Sequence, residues 1–176
     1  MGQLLVITGP PGAGKSTVAR IVADRLERSV LVDGDSFFSF LARGAIAPWL
    51  PEADAQNTVV TQAAAAAAGR YAAGGYATVY DGVVGPWFLP TFAAATGMRR
   101  LDYLVLLPSV HRCVDRVRSR QGHGFTDPDA ARLMHDEFAR ADVEARHLLA
   151  DPPDDPHEVA DLALAALARD RLGVAT

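Results

Sequence analysis

Lys15 stands in Gly9-Pro10-Pro11-Gly12-Ala13-Gly14-Lys15-Ser16-Thr17 and is the only lysine in the 176-residue chain; every other basic residue among the 17 is arginine. The spacing G-x-x-x-x-G-K-[ST] is that of a phosphate-binding loop. Glycines let such a loop fold tightly, so that successive backbone N–H groups point inward at phosphate oxygens. The helix that follows adds the positive end of its dipole at the same place. Lysine brings a compact charge on a mobile stem to the β- and γ-phosphates, a task that a broad planar guanidinium does not take over conservatively. Ser16 is placed to ligate Mg²⁺. The nine residues Gly9 to Thr17 are therefore assigned to a nucleotide and its metal. ATP is the expected donor, although the loop alone does not separate it from another nucleoside triphosphate.

Three carboxylates follow apolar, strand-like runs: Asp33 and Asp35 around Gly34, and Asp81 after Tyr76-Ala77-Thr78-Val79-Tyr80. Ligands of open parallel sheets sit beyond the carboxyl ends of the strands. Phosphoryl transfer needs carboxylates there, to hold Mg²⁺ and to orient or deprotonate the nucleophile. Asp33 and Asp81 are assigned to the metal and Asp35 to the acceptor, although Asp35-Ser36 also reads as a helix cap. Asp81 is also read as bordering the acceptor, with a turn at Asp81-Gly82 as the plain alternative. Arg112, Arg116 and Arg120 recur at helical spacing before a glycine-containing break, so Arg116 and Arg120 are assigned to the transferring phosphate. Arg118 and Arg132 are read as solvated surface. Five of the seven phenylalanines and both tryptophans lie between positions 37 and 92. Within this group, Phe38, Trp49 and Trp87 are read as walls of an acceptor pocket, with ordinary core packing as the alternative.

Elements must hold these residues in place. Leu4-Leu5-Val6-Ile7 reads as a buried strand running into the loop. Val18, Ile21, Val22 and Leu26 form the inner stripe of a helix after it. Further strands are expected at Val30–Val32, Tyr76–Tyr80, Leu101–Leu107 and His147–Leu149. Further helices are expected at Ser36–Arg43, about Asp54–Ala73, Val110–Arg120, from Asp127-Pro128 onward, and after Pro156. The Ala63–Ala68 run favours the second of these helices and Gly74-Gly75 ends it. Alternation of this kind predicts a single α/β domain over 1–176: a five-stranded, mainly parallel sheet with helices on both faces and a helical lid.

Bulk properties narrow the function classes. The net charge of −4 and the lack of a long basic block make nucleic acid an unlikely partner as far as whole-protein attraction goes. The lone Cys113 rules out an internal disulfide framework and fits a reducing compartment. With no secretory leader and no 18-residue apolar stretch visible, the expectation is a cytoplasmic protein without a membrane span. The histidines show no metal-ligand spacing. His111, His135, His147 and His157 are read as surface or helix residues, and His123 falls in the expected lid break.

The loop around Lys15, Asp33-Gly34-Asp35, the Asp81 strand end and the Arg116/Arg120 helix together resemble the small P-loop kinases of hydroxylated metabolites. These include chloramphenicol phosphotransferase, gluconate kinase, shikimate kinase and adenylylsulfate kinase. The resemblance implies a P-loop NTPase fold, an acceptor-binding segment at about 36–60 and a lid at about 116–127. It also implies that Asp35 acts as base or orienter beside the acceptor hydroxyl. Phe37-Phe38 replaces the histidine that follows the aspartate in gluconate kinases, and clustered arginines are lacking around the aromatic residues. A small, neutral, partly apolar alcohol such as an antibiotic or nucleoside is the expected acceptor. A kinase of nucleotides or of nucleic-acid 5′ ends, and a nucleotide-dependent regulatory ATPase, are the alternatives. Guanine recognition through Asn-Lys-x-Asp is excluded, because Lys15 and Asn57 are the only residues of their types. Monomer and homodimer both remain open.

Overall fold

Side chains alternate along the strands between two cores. The computed structural model describes residues 2–119, 125 and 127–176. In β1 (Leu4–Thr8), all five residues are buried. Leu4 and Val6 join one core, and Leu5 and Ile7 the other, as the two-residue side-chain period of a strand requires. β4 (Arg100–Leu107) does the same, with Leu101, Tyr103 and Val105 on one face and Leu104 and Leu106 on the other. A strand apolar on both faces belongs inside a parallel sheet with helices on each side.

The sheet contains β1, β2 (Ser29–Asp33), β3 (Ala77–Asp81), β4 and β5 (Leu148–Ala150), in the order β2-β3-β1-β4-β5, and these five are parallel. A sixth strand, β6 (Gly173–Ala175), pairs antiparallel with the start of β4. It extends the expected five-stranded sheet and is too short to produce an alternating pattern in sequence.

One face is covered by α1 (Lys15–Asp24) and α7 (Pro156–Ala168). The other carries α3 (Asp54–Ala73) and α4 (Leu89–Thr96). Gly69 of α3 lies so close to α4 that a Cβ there would meet the Thr96 carbonyl oxygen at 2.0 Å, and the alanines around it allow the same close approach. The α4 helix was not among the sequence expectations. Its signals are Pro90 in the first turn and Gly97, with φ of 65°, at its end.

Three short elements complete the site end of the molecule. α2 covers Asp35–Ser39 and stops four residues before the expected Arg43. α5 spans Val110–Ser119 and α6 spans Pro128–Arg140. The Asp127 side chain caps α6 by accepting from the N–H groups of Asp129 and Ala130, at 2.9 and 3.1 Å. Two histidines read as surface or helix positions are buried: His135 inside α6, and His147 in a 3₁₀ turn before β5. Each donates a ring N–H to a backbone carbonyl, His135 to Pro108 at 2.8 Å and His147 to Tyr103 at 3.0 Å. No helix among the described residues is long and apolar enough to cross a membrane.

Candidate active site

The loop from Gly9 to Gly14 turns between the end of β1 and the start of α1. Gly12 has φ of 82° and packs against α5, where a Cβ would lie 2.2 Å from the Cys113 carbonyl oxygen. Both conditions demand glycine there. Lys15 is buried and donates from Nζ to the Pro10 carbonyl at 3.2 Å. Ser16 and Thr17 are exposed at the first turn of α1. On the outer side, the Arg116 guanidinium donates to the carbonyls of Gly12 and Ala13, at 3.3 and 3.5 Å. Of the arginine cluster, only Arg116 is therefore seen against the loop. Arg112 binds the Pro152 carbonyl at 2.8 Å and pairs with Asp154, tying α5 to the segment after β5. Arg120, His123 and most of the expected lid break lie outside the described residues.

The three aspartates come together at the carboxyl edge of the sheet. Asp33 and Asp81 are directly opposite in the β2–β3 register, and Asp81 is opposite Ile7 of β1. Gly34 takes the capping position of α2, Asp35 is its first residue, and the turn that leads into it is held by Asp33. Its two oxygens accept from the Asp35 N–H at 3.0 Å and the Ser36 hydroxyl at 2.6 Å, an arrangement that starts α2. Asp35 itself stays exposed. Gly34 approaches Tyr80 so closely that a Cβ would lie 2.2 Å from the tyrosine oxygen, and its N–H donates to the Asp81 carbonyl at 2.7 Å.

Asp81 is buried, and its Oδ1 has no hydrogen-bond partner among the described residues. Burial raises its pKa above the usual aspartate value, against the opposing pull of the Lys15 charge and a Ser16 hydrogen bond. Tyr80 lies under the same acids; burial first, then the charges of Asp35, Asp81 and Asp33, hold its hydroxyl well above the ordinary tyrosine range. An unpartnered buried carboxylate oxygen beside a loop hydroxyl suits a hard divalent cation, so Ser16 and Asp81 fit Mg²⁺. Among the described residues no three His, Cys, Asp or Glu side chains converge into a metal cage. Mg²⁺ ordinarily takes one or two protein oxygens and completes its shell with water and phosphate.

From Lys15 and Ser16 a cavity of about 630 Å³ opens past Asp35 to Phe38, Trp49 and Trp87. Those three aromatic residues thus share the cavity wall, whereas Phe92 is fully buried in the core and Phe40 is exposed. Asp81 does not line the cavity and sits below it, next to the loop. The far wall was missed in the sequence. Trp49 meets Phe125 edge-on at 5.0 Å, and Trp87 packs on Phe138 of α6 at 5.2 Å. Asp54 and Asn57 of α3, with Leu133, Met134 and Glu137 of α6, complete that side. They carry no local signature, because only the tertiary fold brings these parts of α3 and α6 to one cavity.

A family model described as an AAA domain matches residues 4–141. The chain belongs to this family. No curated protein matches the sequence. Among solved structures, it is similar to a sugar kinase from Janibacter sp. HTCC2649, with 21% identity, 96% of this chain and 95% of that one covered, and a TM-score of 0.70. It is also similar to the tunicamycin resistance protein of Deinococcus radiodurans, at 13% identity, 95% and 96% coverage, and a TM-score of 0.67. A third similar structure is the adenylylsulfate (APS) kinase of Mycobacterium tuberculosis in complex with AMPPNP and APS, at 16% identity, 95% and 98% coverage, and a TM-score of 0.66. The P-loop kinase fold is therefore shared along essentially the whole chain.

Proposed function

We propose that this protein is an ATP-dependent phosphotransferase that moves the γ-phosphate to a hydroxyl group of a small, partly apolar molecule. The observation that carries the reading is the continuity of the cavity. One space begins at Lys15 and Ser16, passes the exposed Asp35 and ends between aromatic side chains. Donor and acceptor could meet there with Asp35 at the junction. The full-length similarity to kinases of small molecules, one of them in complex with AMPPNP, supports the same reading.

In this reading Lys15 and the loop N–H groups bind the β- and γ-phosphates. Ser16 and Asp81 would hold Mg²⁺, with Asp33 as a neighbouring carboxylate; the ion supplies neutralisation of the phosphate charge when bound. Asp35 accepts the proton of the acceptor hydroxyl. The acceptor oxygen forms its bond to the γ-phosphorus as the bond to the β–γ bridging oxygen breaks, and ADP leaves. Arg116, already against the loop, and Arg120 are placed in the sequence to counter charge on the transferring group. Phe38, Trp49 and Trp87 exclude water from the acceptor and orient it.

A regulatory ATPase would have no use for an aromatic cavity opening beside Asp35. A polyanionic nucleic-acid end would need basic residues along that cavity, and Lys15 is the only cation among its described lining residues. The test is a screen of alcohols, nucleosides and antibiotics for ATP-dependent gain of one phosphoryl group by mass, followed by Asp35→Ala. Loss of about 10²–10⁴ in kcat with ATP affinity held within a few-fold is expected. Transfer at the wild-type rate by the variant would remove Asp35 from the chemistry.

A further inference from the structure

We propose that the acceptor is a cation, an amine-bearing alcohol whose ammonium group sits between Asp54 and Glu137 while its apolar part packs against Trp49 and Trp87. This rests on the phosphotransferase reading and names the acceptor class for the same cavity. Beyond Asp35 the described wall holds two further acids, Asp54 from α3 and Glu137 from α6, and no basic side chain. Neither acid forms a side-chain hydrogen bond or ion pair among the described residues, whereas other carboxylates of the chain, such as Asp154 and Asp161, are paired with arginine. Asn57 of α3 donates to the Pro48 carbonyl at 2.7 Å, and its buried Oδ1 has no hydrogen-bond partner among the described residues. The acceptor end therefore offers acceptor oxygens and aromatic faces.

Each part of that arrangement favours positive charge. Two carboxylates in a cavity partly shielded from water attract a cation and repel an anion more strongly than they would on an open surface. Trp49 and Trp87 present π faces that attract an ammonium group or the CH₂ groups beside it. The ammonium supplies donors, which the Asn57 Oδ1 and both carboxylates lack. A carboxylate- or phosphate-bearing acceptor would meet like charge at the far end and at Asp35 as well. Charge also orients the molecule. An ammonium held at the α3–α6 end leaves a hydroxyl at the opposite end, facing Asp35.

The test uses three probes that share a benzyl alcohol and differ only in the group across the ring from the hydroxyl: para-(aminomethyl)benzyl alcohol, para-benzenedimethanol and para-(hydroxymethyl)benzoate. They are titrated calorimetrically into the full chain with Mg²⁺ and a non-hydrolysable ATP analogue, and offered in parallel with ATP. The amine should bind at least about tenfold tighter than the diol, and the benzoate weakest of all. Glu137→Gln and Asp54→Asn, both at exposed positions, should each remove most of that preference for the amine while leaving binding of the ATP analogue within about twofold. Equal binding of all three probes, or a preference unchanged in both variants, would overturn the cationic acceptor. Charge-selective binding without phosphoryl transfer would uphold the cation site and count against the phosphotransferase reading. Equal transfer to all three would do the reverse.

Discussion

An alanine at position 34 has nowhere to put its methyl group. The obstacles are the buried Tyr80 ring and, 3.0 Å away, the backbone of Asp81, and neither can swing aside. Relief would come from shifting the start of α2, and with it Asp35. Gly34→Ala is therefore expected to lower kcat by about 10²-fold with a smaller change in ATP affinity, measured by steady-state kinetics and nucleotide titration. Gly12→Ala acts on the other substrate. Its positive φ and its contact with the Cys113 carbonyl make the loop itself the strained part. ATP binding should fall steeply and stability by about 1–3 kcal/mol, read from denaturant unfolding. Asp81→Asn separates function from stability. Burial disfavours the charge of this carboxyl, so at neutral pH the folded state is relieved when the charge is removed. Tm should rise, by about 2–4 °C for each kcal/mol recovered, while the proposed role of Asp81 at Mg²⁺ requires phosphoryl transfer to be lost.

Among the elements, α6 is the one whose contribution is easiest to test. Asp127 satisfies two N–H groups at its start, so Asp127→Ala should cost about 1 kcal/mol. Because Trp87 rests on Phe138 and Glu137 lines the cavity, the variant should also raise the acceptor KM more than the ATP KM. Much of the element pattern was legible in the sequence. β1, the loop and α1 announced themselves by an apolar run, a fixed glycine spacing and a helical stripe. α3 followed from its alanines, and α6 from Asp127-Pro128. The three aspartates were placed correctly at the carboxyl edge, because strand ends are local features. What was hidden is what depends on tertiary packing. The Arg112 tie to Pro152 and Asp154, and the cavity wall that α3 and α6 share around Trp49 and Trp87, join residues far apart in the chain. α4 carried its Pro and Gly signals, but they were masked by the aromatic residues just before it.

For the whole molecule, buried acids set the pH response. Burial raises the pKa of Asp102 as well as Asp81, and pushes the Tyr80 and Tyr103 hydroxyls up. In all four the folded state holds its proton to higher pH than the unfolded chain. Their stabilising contribution is thus present below the unfolded pKa and is lost as pH rises through the folded one. For the aspartates this begins near the ordinary value of 3.8. For the tyrosines it begins near 10. Thermal unfolding across pH should therefore show a loss of stability above about pH 10, and Asp102→Asn should flatten the decline that starts at the acid end. Mg·ATP at about a hundred times its Kd should add roughly 2.7 kcal/mol to the stability of the wild-type chain, and far less to Lys15→Ala.

The contact between Gly12 and the backbone of Cys113 makes the only thiol of the chain a built-in reporter of its nucleotide loop. Cys113 is fully buried in α5, directly behind that glycine. A small alkylating reagent can reach its buried sulfur only when α5 opens from the elements packed against it, the loop among them, so the labelling rate reports how often this part of the molecule opens. A bound nucleotide that steadies the loop should slow labelling in step with its occupancy. The donor site can then be followed by mass spectrometry alone, before any acceptor has been found.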